Sequence, residues 1–520
     1  MALTDPDETF YAETAKEMLS RNEWPTPYLC GKPQFEKPIL FYWLVEVSFK
    51  ILGVNEFAAR MPSAIFALLG VIGMYLLGSL IFNKRVGLLA AIILGTSVEY
   101  IILSRACVTD MTLATFMLFG ALFFFYGYLR HKRYHYLFSA ASFALATLTK
   151  GPVAIILPGA AILAYLAFVR DLKALKKIPL FWCAVIFIAI AAPWYLLEYK
   201  IHGANFINSF FGFHNITRFL EAEHKIGSQV YYNIPIVFGG FFPWSVFLPF
   251  GFWHIFKKKH SAFILSWFFI IFLFFTASST KLPTYVFPCF ISLALIVAVL
   301  WDDLLKEGAP KKFIKGMSVS YYALCASVIF GAIAALLYLK FIYNIRSDHP
   351  SIYNEIFVSS LFLIFGMILS LIAFINKKFF GAFLFIAYSV IVFLYPMNRL
   401  VLPEIERYET SKEIALKLGT LMKEGEQLGS ESNYLEGLAF YTGRFPTDID
   451  KHHIMVNFLS SDKRVWCVLK EKNHRELYDL DTKPYCMRES YMVYKIGKRA
   501  IVTNNMPDDG VYMIKRERRV

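Results

Sequence analysis

The sequence predicts a mainly α-helical, polytopic membrane bundle that is followed by a small α/β domain. The chain of 520 residues is 57% hydrophobic and only 18% charged, a composition too apolar for a soluble protein of this length. Apolar runs also recur between residues 57 and 397, most of them near the roughly 20 residues that a helix needs to cross a bilayer. The composition becomes mixed in charge from about residue 400. We therefore expect a membrane domain over residues 1–400 and a soluble domain over residues 401–520.

Eleven or twelve apolar runs qualify as candidate spans, and the runs that begin at residues 86 and 134 are the shortest of them. Their approximate extents are 57–82, 86–103, 111–129, 134–149, 153–169, 179–197, 234–256, 261–278, 284–301, 317–339, 356–375 and 379–397.

The loops between the runs alternate in charge, which predicts the orientation of the chain. The basic loops hold Lys84 and Arg85; Arg130, Lys132 and Arg133; Arg170, Lys173, Lys176 and Lys177; Lys257 to Lys259; Lys306, Lys311, Lys312 and Lys315; and Lys377 and Lys378. Short basic loops stay in the cytosol. The chain is therefore predicted to lie in a bacterial inner membrane, with the remaining loops and, after twelve crossings, the C-terminal domain in the periplasm.

The net charge of +14 is explained by these topology signals, and no nucleic-acid partner is expected. The predicted topology places the N-terminus outside the cytosol, and no preceding span explains how it crossed the membrane. We therefore expect the gene to begin about 25 residues or more upstream, with a first helix ahead of residue 1. The seven cysteines show no CxxC pair, and a disulfide between Cys467 and Cys486 in the polar tail has no support from the sequence.

The tail carries the patterns of a small α/β domain. Apolar residues recur at helical spacing in SKEIALKLGTLMKEG (411–425), whereas VWCVLK (465–470) and YMVYKIGK (491–498) alternate as strands do.

The first outward loop holds two candidate groups of site residues. PDETFYAETAKEMLSRNEW (6–24) is compatible with an amphipathic helix on the membrane surface that begins with Asp7 and Glu8. Simple capping of a helix N-terminus explains these two carboxylates equally well. In GKPQFEKPILFYWL (31–44), Glu36 and Lys37 precede an apolar helix, where a lysine either holds a lipid phosphate or snorkels to the interface.

Three later outward loops add further polar groups. Asp110 follows the turn SRACVT and begins an apolar run, so that it is either a site residue or a helix cap. His214 and Arg218 stand four residues apart, as do Lys281 and Tyr285, a spacing that suits either a phosphate site or a structural pair. Because these groups share one predicted membrane face, we expect Lys37, Arg218 and Lys281 to meet an amphiphilic phosphate. Asp7 and Asp110 are the catalytic candidates, which would act on the sugar or the acceptor.

Several segments, read in order, resemble the bacterial members of the dolichyl-phosphate-mannose protein mannosyltransferase superfamily. They are PDETFYAETAKEML, FEKPILFYWL, NEFAARMPSAIF, the Asp110 turn, FHNITRFL, GGFFPWS and STKLPTYVFPCF. The resemblance covers nearly all of residues 5–300 and is strongest to the 4-amino-4-deoxy-L-arabinose lipid A transferases. It implies the GT-C fold, a polyprenyl phosphate-linked sugar as donor, and a first membrane helix ahead of Asp7.

The resemblance also assigns roles to individual residues. Asp7 matches the acidic residue of the first outer loop that the family needs for activity, and Lys37 of the FEKP segment matches a contact to the carrier phosphate. The other residues expected in the pocket by position are Asp110, His214, Arg218, Lys281 and Tyr285, with Glu8 and Glu36 beside them.

These roles predict an inverting displacement at the anomeric carbon of an aminoarabinose-like, hexosamine or hexose donor. The acceptor is lipid A or, with Asp7 as general base, a Ser or Thr hydroxyl of a protein. A divalent metal between Glu36 and His214 is a further hypothesis, although two residues do not make a metal site. A membrane transporter is the alternative outside the enzymes, but the distinctive residues lie at helix ends rather than at mid-membrane.

Overall fold

The structure is a computed structural model, and the chain divides into two compact units. One unit contains Met1–Gln34, Val45–Ala59 and the chain from Leu402 onward; the other contains Phe35–Leu44 and Arg60–Val401. The structure describes residues 1–217, 229–256, 258, 260–341, 350–403, 410–470, 472–473, 491–496 and 499–504.

Helices make up most of the described chain. The α-helices are α1 Asp7–Arg21, α2 Leu40–Leu52, α3 Glu56–Ile81, α4 Lys84–Gly95, α5 Val98–Leu103, α6 Thr109–Arg130, α7 Tyr134–Lys150, α8 Val153–Phe168, α9 Leu180–His202, α10 Ala204–Ile207, α11 Asn233–Gly240, α12 Leu248–Ile255, α13 Ser261–Ala277, α14 Phe290–Leu304, α15 Lys311–Phe341, α16 Pro350–Ile375, α17 Phe379–Pro396, α18 Lys412–Leu421, α19 Leu435–Thr442 and α20 His452–Leu459. The 3₁₀ segments are Leu172–Lys177, Val230–Tyr232, Trp244–Phe247, Pro283–Cys289 and Ser432–Tyr434, and the π-helical segments are Asn208–Thr217 and Met397–Val401.

Within the described residues, seven helical segments are long and apolar enough to cross a membrane. They are Glu56–Ile81, Thr109–Arg130, Leu180–His202, Pro283–Leu304, Lys311–Leu337, Tyr353–Ile375 and Phe379–Arg399. An eighth arises if Val230–Gly240 and Trp244–Ile255, which meet at 112°, form one bent span. The count is lower than the number of apolar runs because several runs form shorter helices, such as α8 with 16 residues and α13 with 17. The predicted polytopic helical fold is confirmed.

Helix α14 lies at the centre of the membrane unit. Every residue of this helix except Asp303 is buried. It packs along α4, α12 and α13, so that its apolar side chains meet protein on all sides. A helix that is apolar all round fits such a central position.

Glycines permit close packing of α3 against α4. A Cβ on Gly78 would lie 2.8 Å from the Cα of Gly87. A Cβ on Gly87 would lie 2.4 Å from the carbonyl oxygen of Tyr75. Both distances are shorter than real Cβ contacts, so the two backbones approach as closely as they do only because these side chains are absent.

Two aspartates at the end of α14 neutralise nearby basic residues. The Asp302 carboxylate accepts a hydrogen bond from Arg85 Nε at 2.5 Å. Asp303 forms ion pairs with Lys258 and, at 2.6 Å, with Lys306, and it lies 2.5 Å from His254 Nε2. Part of the basic charge of the loops is therefore balanced inside the fold.

The other unit contains a hairpin and a five-stranded sheet. The strands are β1 Tyr28–Leu29, β2 Lys32–Pro33, β3 Gln427–Ser430, β4 Thr447–Asp448, β5 Val465–Lys470, β6 Tyr491–Ile496 and β7 Arg499–Thr503. β1 and β2 pair antiparallel, and the larger sheet has the order β4-β3-β5-β7-β6. β3 is parallel to both β4 and β5, whereas β7 is antiparallel to β5 and β6.

Successive side chains of β5 point to opposite faces of this sheet, and helices cover both faces. Trp466 and Val468 pack with Ile414 and Leu418 of α18 on one face. Cys467 points to the opposite face, with Met455 and Leu459 of α20. The helix and the two strands predicted from the sequence in this region are confirmed. Cys467 is a free, buried thiol, and Cys486 lies outside the described residues.

Candidate active site

A cavity with about 900 Å³ of empty space opens in the membrane unit, where several helix ends meet. The segment before α2 supplies Glu36 and Lys37, and the π-helical segment supplies His214. The remaining walls come from the first turns of α6 and α8, the end of α7, the end of α13, and the turn and 3₁₀ segment that lead into α14. Five of the residues predicted from sequence therefore line a single cavity: Glu36, Lys37, Asp110, His214 and Tyr285.

Lys37 is fixed at the cavity by its neighbour in the sequence. Its Nζ donates a hydrogen bond to the Glu36 carboxylate at 2.8 Å, and its side chain is only 14% exposed. The preceding Phe35 ring packs 5.0 Å from the ring of His202 and 5.5 Å from that of Phe206. The short segment before α2 is thereby anchored, and its cation is held at the cavity wall.

A second lysine, Lys150, forms a buried ion pair in the same cavity. Its Nζ donates to Asp110 Oδ1 at 2.5 Å, and the Asp110 side chain is 8% exposed. Asp110 lies in the first turn of α6, yet no side chain caps that helix and the Asp110 carboxylate binds the lysine. Asp110 is therefore paired with a cavity lysine, and its role as a site residue stays a prediction.

The position of Lys150 depends on a sharp turn between α7 and α8. Gly151 has φ +97°, a backbone conformation that glycine adopts without strain. The next helix begins at Val153, which also lines the cavity. The lysine at the end of one apolar helix is thus held beside the first turn of the next.

The wall near α14 adds hydroxyl groups. The Lys150 ammonium lies 5.1 Å from the centre of the Tyr285 ring, and that ring is 5.2 Å from Phe275. Thr284 also lines the cavity, as does Ser278, whose hydroxyl donates to the Thr280 carbonyl oxygen at 2.9 Å.

Both charged and apolar residues line the cavity. The charged residues form two lysine–carboxylate pairs, and the apolar residues include Leu113, Phe274 and Pro288. An amphiphile with a charged head and a hydrocarbon tail matches this mixed lining. Since each carboxylate holds its lysine in place, the ammonium groups are preorganised for an anionic ligand.

A further carboxylate is buried in the same unit without a hydrogen bond. Glu99 is 8% exposed, and neither of its carboxylate oxygens has a hydrogen-bond partner in the described part of the chain. A Cβ on Gly240 would lie 2.3 Å from Glu99 Oε2, so the carboxylate packs against the α11 backbone. Burying a carboxylate without a hydrogen bond costs free energy, so such a residue is expected either to be protonated or to serve a function.

Asp7 and Glu8 belong to the other unit, at the start of α1. Asp7 is exposed in the first helical turn. Glu8 is buried and accepts hydrogen bonds from the backbone N–H of Thr4 at 3.0 Å and from its hydroxyl at 2.6 Å. Glu8 therefore stabilises the start of the helix. The catalytic role of Asp7 stays a prediction.

The predicted apolar face of α1 is used for protein packing. Ala15 and Met18 are fully buried, and α1 packs against α19 of the same unit. Burial raises the pKa of Glu13 to about 7 although its carboxylate accepts a hydrogen bond from Lys16 at 3.1 Å. Burial likewise raises the pKa of Asp5 to about 6. The burial of Ala15 and Met18 shows that α1 packs its apolar face against protein of its own unit.

Two further residues were predicted as phosphate ligands. Arg218 lies outside the described residues. Lys281 is buried, 6% exposed, in the turn before Pro283–Cys289 and is not among the cavity-lining residues. The 3₁₀ segment begins only after Lys281, so the helical spacing assumed between Lys281 and Tyr285 does not apply.

The residues at the cavity fit a metal poorly. Glu36 and His214 both line it, but no group of three His, Cys, Asp or Glu side chains suited to a metal ion occurs in the residues that the structure describes. Glu36 is also engaged by Lys37. We assign no step to a metal, and the metal hypothesis for this pair stays a prediction.

Lys150 and Glu99 are not among the site residues predicted from the sequence. Both stand in or directly beside long apolar runs, and an ionisable residue in such a setting is itself a signal of function.

Comparison with known proteins identifies related chains. Residues 36–196 match the family described as Dolichyl-phosphate-mannose-protein mannosyltransferase. An uncharacterized protein of Aquifex aeolicus is 29% identical over 445 residues, which cover 84% of this chain and 82% of that protein. An undecaprenyl phosphate-alpha-4-amino-4-deoxy-L-arabinose arabinosyl transferase of Yersinia enterocolitica is 30% identical over 349 residues, 65% of this chain and 61% of the relative. The chain thus spans less than two thirds of that transferase.

The fold also matches a solved structure. ArnT from Cupriavidus metallidurans bound to undecaprenyl phosphate superposes with a TM-score of 0.81 at 21% sequence identity. The match covers 97% of this chain and 94% of that one. The two chains share a fold over nearly their whole length.

Proposed function

Because the chain belongs to the GT-C glycosyltransferases of the arabinosyl transferase and protein mannosyltransferase type, we propose that it transfers a sugar from a polyprenyl phosphate to lipid A. The observation that carries the proposal is the amphiphilic cavity in which Lys37 and Lys150 are held by Glu36 and Asp110. The arabinosyl transferase relatives support undecaprenyl phosphate as the carrier and an aminoarabinose-like sugar as the group transferred.

The reaction is a direct displacement at the anomeric carbon. An oxygen of the acceptor forms the new bond to that carbon, while the bond to the carrier phosphate breaks and its electron pair goes to the phosphate oxygen. Negative charge therefore grows on the phosphate, where Lys37 and Lys150 stabilise it. A phosphate of lipid A is already anionic, so the attacking oxygen requires no strong base.

A second acceptor is favoured by the family match of residues 36–196 to protein mannosyltransferases. A Ser or Thr hydroxyl must lose its proton as the new bond forms, and a carboxylate is needed to accept it. Asp7 is the residue proposed for that step from its place in the PDET segment.

The positions of the basic loops support a periplasmic site. The cavity lies at the starts of α6 and α8, whereas Arg130, Arg170 and Lys173 stand at or just after their opposite ends. Short basic loops remain in the cytosol, which leaves the cavity on the outer face. Reporter fusions after Gly151 should therefore report a periplasmic position, and fusions after Lys132 a cytosolic one; the reverse result would overturn the proposed sidedness.

Transfer is tested in a strain that lacks the chain and is complemented with variants. We expect the strain to lose a sugar-sized mass from lipid A, and Lys37→Ala to lower transfer roughly 10²–10³-fold, as the loss of one charge-stabilising group does. Lys200→Ala, which removes an exposed lysine from the last turn of α9, is the matched control and should restore transfer.

The mass spectra separate the candidates. Loss of the sugar from envelope proteins but not from lipid A would favour the Ser or Thr acceptor. An unchanged lipid A and unchanged glycoproteins in the deletion strain would contradict both transferase candidates.

A further inference from the structure

A second large cavity lies at the opposite helix ends of the same unit. It has about 1450 Å³ of empty space and is lined at the ends of α6 and α8 by Tyr128 and Val169, and just before α13 by His260. The first cavity is lined by the other ends of these three helices. The two cavities therefore occupy opposite ends of one three-helix group.

The separation between the two cavities matches the thickness of a bilayer. Asp110 and Tyr128 are 18 residues apart on α6 and line the first and second cavity respectively. At 1.5 Å per residue this spacing is about 27 Å, close to the hydrocarbon thickness of about 30 Å. The second cavity thus lies at the membrane face opposite the proposed transfer site.

The second cavity carries cations that the fold leaves uncompensated. Arg133 and Lys177 line it and are exposed. Neither makes an ion pair or a side-chain hydrogen bond with any described residue, in contrast to Arg85, which Asp302 neutralises. Asp171 is the acidic residue in the lining, and its carboxylate accepts a hydrogen bond from the Tyr128 hydroxyl at 3.0 Å. The cavity is net positive.

Aromatic and hydroxyl groups also line this cavity. Tyr165, 1% exposed, forms a hydrogen bond through its hydroxyl to His260 Nδ1 at 3.1 Å. The Tyr128 and Tyr165 rings meet edge to face at 5.9 Å. The lining therefore combines packed aromatic rings and polar groups with the cations.

Exposed apolar side chains adjoin the cavity. Phe168 is 75% exposed, the lining residue Val169 is 40% exposed, and Leu172 is 51% exposed. Cations and polar groups next to exposed apolar side chains match a phosphate headgroup with its acyl chains alongside. A free phosphate would use only the cations.

We propose that this second cavity binds the phosphate of an anionic membrane lipid, at the leaflet opposite the one where the sugar is transferred. The phosphate lies between Arg133 and Lys177, with His131 at the rim, and the headgroup lies against the tyrosines. The site is distinct from the carrier cavity, because the residues that line the two cavities do not overlap.

The test is a binding titration of the full chain in nonionic detergent, followed by native mass spectrometry. The probes are dioctanoyl phosphatidylglycerol, dioctanoyl phosphatidylcholine and glycerol 3-phosphate. We expect the wild type to prefer phosphatidylglycerol, and the pair of substitutions Arg133→Ala and Lys177→Ala to weaken its binding about tenfold or more.

The matched control is the pair Lys173→Ala and Lys176→Ala. It removes the same charge from exposed lysines of the Leu172–Lys177 segment that do not line the cavity. The control should bind phosphatidylglycerol as the wild type does. Equal weakening in both pairs, equal binding of phosphatidylcholine, or equal affinity for glycerol 3-phosphate would each overturn the proposal.

Discussion

Removal of the Lys150 ammonium is expected to destabilise the protein as well as to impair transfer. Lys150→Met keeps an unbranched apolar side chain but leaves the Asp110 carboxylate, in a residue 6% exposed, without its 2.5 Å partner. Breaking a buried ion pair from one side costs about 3–5 kcal/mol. Since the Lys150 side chain is 17% exposed, water reaches the site, and we expect a loss of about 3 kcal/mol in the free energy of unfolding.

A compensating substitution distinguishes this loss from simple damage to packing. Combining Lys150→Met with Asp110→Asn removes both charges, so no uncompensated carboxylate remains. We expect the double variant to lie within about 1 kcal/mol of the wild type, so that it is about 2 kcal/mol more stable than Lys150→Met alone. Sugar transfer should stay lost in the double variant, because the ammonium that stabilises the leaving phosphate is still absent.

The assay is reversible unfolding of the purified chain in mixed micelles with increasing SDS, followed by tryptophan fluorescence. Transfer is measured on the same preparations. A loss below about 1 kcal/mol in Lys150→Met, or a double variant no more stable than the single one, would refute the argument that Asp110 and Lys150 act as a buried pair.

Two further predictions concern packing and protonation. Gly87→Ala should lower stability by about 1–3 kcal/mol because its Cβ meets the α3 backbone, whereas Gly159→Ala, with nothing within 4 Å, should be neutral or stabilising in the same unfolding assay. Burial raises the pKa of Glu13 from 4.5 to about 7. As the pH rises, the unfolded chain therefore loses this proton before the folded chain does. The free energy of unfolding should fall by about 3 kcal/mol between pH 4.5 and 7 as a result. Glu13→Gln should make the fall smaller by about that amount and leave the part due to Asp5, whereas exposed Glu23→Gln should retain the full fall. An unchanged slope in Glu13→Gln would contradict the assignment.

Much of the fold could be predicted because hydrophobic runs and basic loops are local signals. The runs that become α3, α6 and α9 have the length of a bilayer crossing, and the tail shows its strand alternation directly. The number of spans could not be predicted in the same way. Apolar runs near residues 153 and 261 form helices of 16 and 17 residues, and run length does not reveal where turns shorten a helix.

Part of the candidate site could be predicted from the sequence for a related reason. Glu36, Lys37 and Tyr285 stand at predicted outer boundaries, so a common membrane face already suggested that they meet. The partner of Asp110 could not be predicted, because Lys150 is 40 residues away and the contact depends on how α6 packs along α7. Pairing across two helices leaves no periodic pattern in the sequence.

The burial of α14, from which only Asp303 is excepted, has a consequence for how the protein responds to its membrane. The 3₁₀ segment that carries Thr284 and Tyr285 runs directly into this helix, which meets protein rather than acyl chains on every side. A change in bilayer thickness acts on helices that contact lipid, and it reaches Tyr285 only through the neighbours of α14. The position of this tyrosine should therefore vary little between thin and thick bilayers, while the lipid-facing helices around it change their tilt.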